Sequence, residues 1–373
     1  MLGVISLVGR LLAPEDHGVR LVVVDGGRVT RIEDADQAPP DAVGGQDALI
    51  VPGFVDIQLN GAFGVDFSDP AADLESAASA LPSTGVTAFL PTVVSAAQDR
   101  YAPILVNLSR SVPPGAARAV GVHLEGPFIS PRRAGTHEPS AIRAPDLDEL
   151  RGWLARGDVR LVTLAPELPG ADALIEELVG HGVIVAIGHS DATWDEADVA
   201  IRGGAGIGTH LFNAMRPFHH RDPGIAGRLL APGVAVAVIA DGVHVAPETI
   251  SLVASVKGPD DLIFVTDGLA ALGEPPGTYR LGSQTVISDG SVARLEDGTI
   301  SGSVTPMATA LGRLVAGGLD AETAVRAAST NPARLLGLDD ELGHVAVGRV
   351  ADLVVLDSGW NPLLTLVQGT HRP

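Results

Sequence analysis

Eight apolar runs recur along the middle of the chain, and helix-like segments separate most of them. Apolar runs of this length are typical of parallel strands that are buried on both faces of a sheet. The predicted strands are Phe54–Leu59, Val86–Thr92, Ala119–Glu125, Val159–Leu164, Val183–His189, Ala205–His210, Val234–Ala240 and Leu262–Asp267. The predicted helices between them include Asp73–Leu81, Asp172–Gly180 and Asp195–Gly203. This alternation predicts an α/β protein built on a (β/α)8 barrel of the TIM type.

The two ends of the chain show a different pattern, in which short β-like runs are separated by Gly, Asp and Pro. These runs are Val4–Gly9, Val19–Val24, Val29–Ile32 and Arg349–Leu356. Because both ends are short-stranded and the βα alternation lies between them, we predict that they pair into one small β domain. That domain is predicted to contain residues 1–50 and 341–373, and the barrel is predicted to be inserted as residues 51–340.

The segment after the eighth predicted strand interrupts the barrel pattern. Ser291–Leu295 and Gly298–Ser301 are two short β-like runs, which indicate an inserted hairpin. Helices around Met307–Ala316 and Ala321–Leu336 are then predicted to close the barrel.

The composition of the chain argues against nucleic acids and membranes as its partners. The 373 residues include 25 basic and 45 acidic side chains, a formal charge of −20, and a field of this sign repels the phosphates of nucleic acids. No apolar run reaches the ~18–20 residues of a membrane span. We therefore expect a cytoplasmic protein with neither a nucleic-acid nor a membrane partner. The chain has no cysteine, so any metal must be held by nitrogen and oxygen ligands.

Side chains that bind metals or transfer protons stand at the ends of successive predicted strands. Three runs end on His189, His210 and Asp267, and His244 follows a fourth run. In (β/α)8 barrels the C-terminal ends of the strands form the active-site face, so these side chains are predicted to meet there. Histidines that only pack in a core would not recur at strand ends. The pattern indicates a metal-dependent hydrolase.

Glu125 ends the third predicted strand and adds a carboxylate to the imidazoles of His189 and His210. Two imidazoles, one carboxylate and one open position form a typical catalytic zinc site. Asp267 is a candidate general base and acid, although an Asp before Gly is also a common turn residue. His123, two residues before Glu125, is predicted to pack in the barrel interior.

Eight segments show a more specific resemblance. In chain order they are PGFVDIQLNG, HLEGPF, GTHEP, GHSDAT, THLFNAM, ADGVH, VTDG and SGS. This ordered set resembles the N-acetylglucosamine-6-phosphate deacetylases of the amidohydrolase superfamily, and the similarity extends to NPAR and GRVADLVVLD near the C-terminus. The resemblance implies a barrel, a divalent metal, and hydrolysis of an N-acetyl amide to glucosamine 6-phosphate and acetate. Amino-sugar catabolism or cell-wall recycling would be the setting.

The resemblance also implies roles for single residues. Glu125, His189 and His210 match the metal ligands, and Asp267 matches the catalytic aspartate. His137 matches the residue that polarises the acetyl carbonyl. The residues that match the sugar-phosphate contacts are Asn213, Ala214 through its backbone, Arg221 and His244.

The loop that ends at Arg221 agrees with a role in phosphate binding. A guanidinium can bind phosphate through two hydrogen bonds, and Arg216, His219 and His220 add further basic groups to this loop. Such a local cluster would allow an anionic substrate to bind despite the acidic chain. The alternative is a solvated loop with incidental charge, and that alternative is favoured for His219 and His220 taken singly.

The first strand departs from those amidohydrolases that carry His-x-His there for a second metal. This chain has Gln58 and Asn60 at those positions, and amides are poor zinc ligands beside imidazole. Its only lysine, Lys257, precedes the eighth strand and cannot bridge two metals from the end of the fourth. We predict one divalent ion per subunit, zinc first, with Fe2+, Mn2+ or Co2+ as alternatives. Gln58 and Asn60 are predicted to hydrogen-bond the ligands or the substrate, with a purely structural role as the alternative.

The leading hypothesis is thus a homodimeric enzyme that acts on a small sugar phosphate. The alternatives are a deacetylase of a related N-acyl hexosamine phosphate and a cyclic-amide hydrolase similar to dihydroorotase or hydantoinase. The missing His-x-His and strand-four lysine argue against the cyclic-amide hydrolase. A catalytically silent barrel is a further alternative, but such a chain would be expected to have lost a ligand or Asp267.

Overall fold

The computed structural model describes residues 3–371. The chain begins with four strands, which are β1 (Ile5–Leu12), β2 (Asp16–Asp25), β3 (Arg28–Asp34) and β4 (Val43–Pro52). β1 pairs antiparallel with β2 and parallel with β4, and β2 pairs with β3. The sequence pattern did not indicate β4, because its first half, VGGQD, is glycine-rich, polar and largely exposed, and burial begins only at Ala48.

The barrel follows β4, together with three short strands. In chain order the strands are β5 (Phe54–Leu59), β6 (Gly61–Ala62), β7 (Val65–Asp66), β8 (Val86–Val93), β9 (Arg118–Ala119), β10 (Val122–Glu125), β11 (Val159–Leu164), β12 (Ile184–Ile187), β13 (Ala205–Gly208), β14 (Ala235–Ile239) and β15 (Leu262–Val265). The barrel strands are β5, β8 and β10 to β15, which lie side by side in chain order and run parallel. The predicted (β/α)8 barrel is confirmed.

Helices connect the barrel strands on the outside. Within residues 3–371, the connecting helices are α1 (Leu74–Ala80), α2 (Gln98–Leu108), α3 (Leu147–Leu154), α4 (Ala171–Gly180), α5 (Trp194–Arg202), α6 (Gly224–Leu230) and α7 (Pro247–Lys257). The helices α8 (Met307–Ala316), α9 (Ala321–Val325) and α10 (Asn331–Leu335) follow the last barrel strand. α5 begins with a capping box, in which the Thr193 side chain and Glu196 satisfy each other's backbone amides. No helix in this part of the chain combines the length and apolar character needed to cross a bilayer.

The barrel closes between its first and last strands by a small number of contacts. The amide of Asp267 donates to the carbonyl of Gln58 at 2.9 Å, and the amide of Asn60 donates to the carbonyl of Gly268 at 2.7 Å. Leu59 and Gly268 form a parallel bridge at the same place. The seam between β5 and β15 therefore joins Gln58 and Asn60 directly to the segment that carries Asp267.

A three-stranded sheet is inserted after β15, and it begins earlier than the sequence indicated. Its strands are β16 (Gly277–Leu281), β17 (Gln284–Ser288) and β18 (Ala293–Arg294). The predicted hairpin of residues 291–301 corresponds only to β18 and a bridge between Arg294 and Ile300. The main hairpin joins β16 to β17 through Gly282, whose φ of +58° suits glycine at a two-residue turn. Alternating exposure in GTYRL and QTVIS made its apolar signal weak.

The C-terminal part of the chain returns to the first sheet. The helix predicted for Ala321–Leu336 is divided into α9, a wider turn over Arg326–Thr330, and α10, which contains Pro332. β19 (Leu353–Leu356) then pairs with β4, and β20 (Pro362–Leu366) pairs with β19. The resulting six-stranded sheet has the order β20-β19-β4-β1-β2-β3, so the predicted β domain built from both ends of the chain is confirmed.

Candidate active site

Three of the strand-end residues leave their strands with an unusual backbone. His189, His210 and Asp267 follow β12, β13 and β15 by two residues each and have φ values of +46°, +25° and +52°. A left-handed backbone is unfavourable by about 1–2 kcal/mol for a residue other than glycine, and such residues concentrate at functional sites. Each strand therefore ends in a sharp turn, and the three side chains line one cavity at the C-terminal end of the barrel.

The side chains of Glu125, His189 and His210 converge on one point. The Nε2 atoms of the two histidines lie 3.0 Å apart, and they lie 3.2 Å and 3.0 Å from Oε1 of Glu125. Ligand atoms about 2.0–2.2 Å from a tetrahedral zinc ion would lie about 3.3–3.6 Å from one another, which is close to these separations. The three residues are buried and could hold a divalent cation.

The protonation of this group suits a cation. The Nδ1 atom of His189 lies 2.9 Å from the carbonyl of Arg133 and donates to it, which leaves a lone pair on Nε2. Burial lowers the pKa of His189 to about 4, so its ring is neutral. Burial alone would raise the pKa of Glu125, but the surrounding imidazoles of His137, His189 and His210 hold the pKa of this carboxyl well below its ordinary value. The group thus presents a carboxylate and the imidazole lone pair of His189.

His137 enters the cavity from the loop after β10. Its Nδ1 accepts the backbone N–H of Ser95 at 3.1 Å, so the proton of the neutral ring is on Nε2. Nε2 lies 3.7 Å from Oε2 of Glu125, beside the point where the candidate ligands meet. An N–H donor in this position can hydrogen-bond an oxygen that approaches the same point.

The two amides of the first strand each contact one buried carboxyl group of the site. Asn60 donates through Nδ2 to Oδ1 of Asp267 at 2.7 Å, and Gln58 donates through Nε2 to Oε1 of Glu125 at 2.8 Å. Burial, with a further contribution from the charge of Glu125, raises the pKa of Asp267 to about 7. A carboxyl group with a pKa near neutrality can both accept and return a proton, as a general base and acid must.

Sequence reasoning missed two residues, Ser95 and Asp56, that hold parts of the site in place. Ser95, whose N–H and hydroxyl both contact His137, follows the end of β8 by two residues in PTVVS, so the strand-end pattern could have indicated it. Asp56 is buried, and its Oδ2 accepts the hydroxyl of Thr266 at 2.5 Å, which ties the first strand to the neighbour of Asp267. Nothing in the sequence links Asp56 to Thr266, because they are 210 positions apart.

The predicted sugar-phosphate residues are divided between the cavity and its surroundings. The cavity is lined by Asn60, Val94, Glu125, Gly135, Thr136, His137, His189, His210, Asn213, Ala214, Ile239, His244, Asp267, Leu281, Thr299, Ile300 and Gly302. Nδ1 of His244 donates to Asp241 at 2.8 Å, which fixes the ring. Arg221 is exposed and lies outside this lining, with its guanidinium 3.0 Å from Nε2 of His220. Arg216 instead pairs with Asp222 at 2.6 Å.

His123 and Lys257 lie away from this cavity. The ring of His123 is within 3.1 Å of the Ile57 carbonyl and 2.8 Å of the Thr163 hydroxyl, inside the barrel. Nζ of Lys257 donates to three carbonyls, those of Leu229, Ala231 and Val234, at the end of α6. The lysine thus has a structural place in the fold.

The protein has the fold and the site of a barrel hydrolase. At one end of a (β/α)8 barrel, two imidazoles and a carboxylate are close enough to share one metal ion, and a further carboxyl group lies beside them. The sequence matches the amidohydrolase family over residues 49–372. The N-acetylglucosamine-6-phosphate deacetylase of Bos taurus is 41% identical over 338 residues, which cover 86% of this chain and 82% of the relative. That of Bacillus subtilis is 37% identical and covers 89% of this chain and 85% of the relative.

Solved structures agree with these relatives. A mutant of the N-acetyl-D-glucosamine-6-phosphate deacetylase of Mycobacterium smegmatis, in complex with N-acetyl-D-glucosamine-6-phosphate, is 35% identical with a TM-score of 0.88 and covers 99% of both chains. The deacetylase of Thermotoga maritima is 32% identical with a TM-score of 0.85 and the same coverage. The chain therefore belongs to the amidohydrolase family and, within it, to the N-acetylglucosamine-6-phosphate deacetylases.

Proposed function

We propose that the protein hydrolyses the N-acetyl amide of N-acetyl-D-glucosamine 6-phosphate to D-glucosamine 6-phosphate and acetate. The observation that carries this proposal is the convergence, in one buried cavity, of Glu125, His189 and His210 with His137 and Asp267. The relatives described above have this activity in their names, and they match the chain over most of its length. Amino-sugar catabolism or cell-wall recycling is the proposed setting.

The two ends of the cavity bind different parts of the substrate, and the outer end binds the sugar phosphate. Asn213, the backbone of Ala214, and His244 contact the sugar, because they line the wall formed by the sixth and seventh strands. Asp241 holds His244 through its Nδ1, so Nε2 is the nitrogen available to the substrate. Arg221 lies on the exposed continuation of the Asn213 loop, which supports binding of the 6-phosphate at the outer edge of the cavity.

The acetyl group lies at the inner end, where His137 and Asp267 perform the chemistry. Glu125, His189 and His210 would hold a divalent cation, which we propose to be zinc, and when bound it would supply Lewis-acid polarisation of the amide carbonyl and lower the pKa of a water. His137 donates its Nε2–H to the carbonyl oxygen as negative charge develops there. Asp267 takes a proton from the water that attacks the carbonyl carbon, and Asn60 keeps the carboxylate in place. Asp267 then protonates the sugar nitrogen as the C–N bond breaks.

Acetate release tests this proposal directly. The protein, loaded with zinc, should release acetate rapidly from N-acetyl-D-glucosamine 6-phosphate and slowly from N-acetylglucosamine. Equal rates on both substrates would leave a general amide hydrolase without a phosphate requirement. Release from neither substrate would overturn the proposed function.

One cation per chain is expected at the site. Gln58 and Asn60 point their amide N–H groups at Glu125 and Asp267, and an N–H group cannot bind a second ion there. Elemental analysis of the purified protein should give one equivalent per chain. The double variant Gln58→His, Asn60→His, which introduces two imidazoles, is the matched control and should take up more. Two equivalents at the barrel mouth of the unchanged protein would contradict the prediction.

Replacing Arg221 by alanine should weaken catalysis on the phosphorylated substrate alone. A hydrogen bond between charged groups contributes about 1.5–3 kcal/mol, which corresponds to about 10–150-fold in kcat/KM. The slow rate on N-acetylglucosamine should hardly change. Arg132→Ala removes an arginine whose side chain is 81% exposed on another loop, and it should leave both rates unchanged. If Arg221→Ala lowered kcat/KM equally on both substrates, Arg221 would not be the residue that binds the phosphate.

The proposed enzyme is a homodimer in the cytoplasm. Trp194 and Val199 on α5, and Leu252 and Val256 on α7, are apolar side chains between 37% and 63% exposed, which supports contact with a second copy. A sugar phosphate is charged and does not cross a membrane unaided, which supports an intracellular substrate pool.

A further inference from the structure

The tip of the inserted hairpin is fixed onto the loops that follow the first three barrel strands. The amide of Gly282 donates to Oδ2 of Asp66 at 2.7 Å, and Nε2 of Gln284 donates to Oε2 of Glu138 at 3.2 Å. Gly282 also packs on Val94 so closely that a Cβ atom on the glycine would lie 3.0 Å from Val94 Cγ2. The tip is therefore held at a fixed place over the cavity.

Leu281 and Val94 form an apolar wall of the cavity at this place. Both side chains line the cavity and are buried, at 3% and 5% exposed. They belong to a small hydrophobic cluster that fills the space under the insert, whose other buried members are Leu269, Ala271, Val286 and Ala293. Because this cluster backs the wall, the wall cannot retreat without loss of packing.

The order of the strands places this wall away from the proposed sugar contacts. Val94 follows the second barrel strand, whereas Asn213 and Ala214 follow the sixth, on the opposite side of an eight-stranded barrel. Val94 also precedes Ser95, which binds Nδ1 of His137. A carbonyl oxygen at His137, on a substrate whose sugar lies toward Asn213, would direct its acyl carbon chain toward Val94 and Leu281.

We propose that Val94 and Leu281 form the acyl pocket of the enzyme and restrict it to short N-acyl groups. This inference rests on the proposed function and extends it to the acyl part of the substrate. The methyl of an acetyl group packs against the wall, and longer acyl chains collide with the docked hairpin. One methylene in an apolar pocket changes kcat/KM by about 10–200-fold.

The test compares N-acetyl- and N-butyryl-glucosamine 6-phosphate as substrates of the zinc-loaded protein. Leu281→Ala should raise the ratio of kcat/KM for butyryl over acetyl by about 10-fold or more, because it frees space for the longer chain. Val94→Ala should shift the ratio in the same direction. Val286→Ala is the matched control, since it weakens the same cluster without lining the cavity and should leave the ratio unchanged.

Two results would overturn the acyl pocket. One is an unchanged ratio in both Leu281→Ala and Val94→Ala proteins that bind zinc and melt cooperatively. The other is an equal rise of the butyryl-to-acetyl ratio in Val286→Ala. That result would mean that the selectivity depends on how firmly the inserted hairpin is packed, and not on the side chains that line the cavity. If Leu281→Ala does not fold, Leu281→Val provides the same comparison. Failure of the proposed function is distinct, because the unchanged protein would then release no acetate from the acetyl substrate.

Discussion

Replacing Asp267 by asparagine should nearly abolish turnover while metal and substrate binding persist. The amide keeps the shape of the side chain and can still contact Asn60, but it cannot accept the proton of the attacking water. General acid–base catalysis contributes about 10²–10⁴-fold, and here one group performs both transfers. Measured kcat on N-acetyl-D-glucosamine 6-phosphate should fall by at least that factor, with KM and metal content close to those of the unchanged protein.

The control for this variant is Asp241, another carboxyl group that follows a barrel strand but contacts His244 from outside the cavity. Asp241 is buried and holds His244, but it does not line the cavity in the structure of residues 3–371. Asp241→Asn removes the same charge and should mainly raise KM, because it loosens a substrate contact. If Asp267→Asn kept more than about a tenth of the original kcat, Asp267 would not be the proton carrier.

Loss of the cation should have an effect of similar size. Lewis-acid polarisation contributes several kcal/mol, and each step of about 1.4 kcal/mol is a factor of ten, so turnover should fall about 10³-fold or more after chelation. Zinc should restore it. The apparent melting temperature should also drop, since a ligand present at about 1,000 times its Kd stabilises the folded state by about 4 kcal/mol.

Two histidine variants make this test specific to the site. His189→Gln removes a candidate ligand, so both metal content and activity should fall toward zero. His123→Gln replaces another buried histidine of the barrel interior, which contacts Thr163 and not the ligands. It should lower stability but retain one equivalent of metal. If His189→Gln kept its metal, the assignment of Glu125, His189 and His210 as the ligand set would be wrong.

The barrel was predictable because its signal is local and repeated. Each of the eight strands is an apolar run with its own turn or helix after it, and β5 and β11 have the bounds that the pattern predicted. β4 and the hairpin of β16 and β17 gave weaker patterns, because such strands are buried only in part and their alternation is easily interrupted. The predicted division at residues 51 and 340 stays a prediction.

The site was predictable in its members but not in its arrangement. Strand-end positions indicated Glu125, His189, His210 and Asp267, and the deacetylase resemblance added His137 and the sugar-phosphate residues. The pairing of Gln58 with Glu125, and of Asn60 with Asp267, joins residues 67 and 207 positions apart. From the sequence, these amides could have hydrogen-bonded the substrate or the metal ligands, or had only a structural role. In the structure, both amides hydrogen-bond the carboxyl groups of Glu125 and Asp267.

The sequence by itself determined the class of fold and the donor types available for a metal. It also determined that the first strand has no pair of histidines for a second metal. These properties depend on residue type and on periodicity, which are written locally in the chain. Only the tertiary structure decided which imidazole nitrogens face the cavity, how burial raises the pKa of Asp267, and that Leu281 from the insert stands beside Val94. Each of these depends on neighbours far apart in sequence, because burial and hydrogen-bond geometry arise when the barrel closes and the insert docks on it.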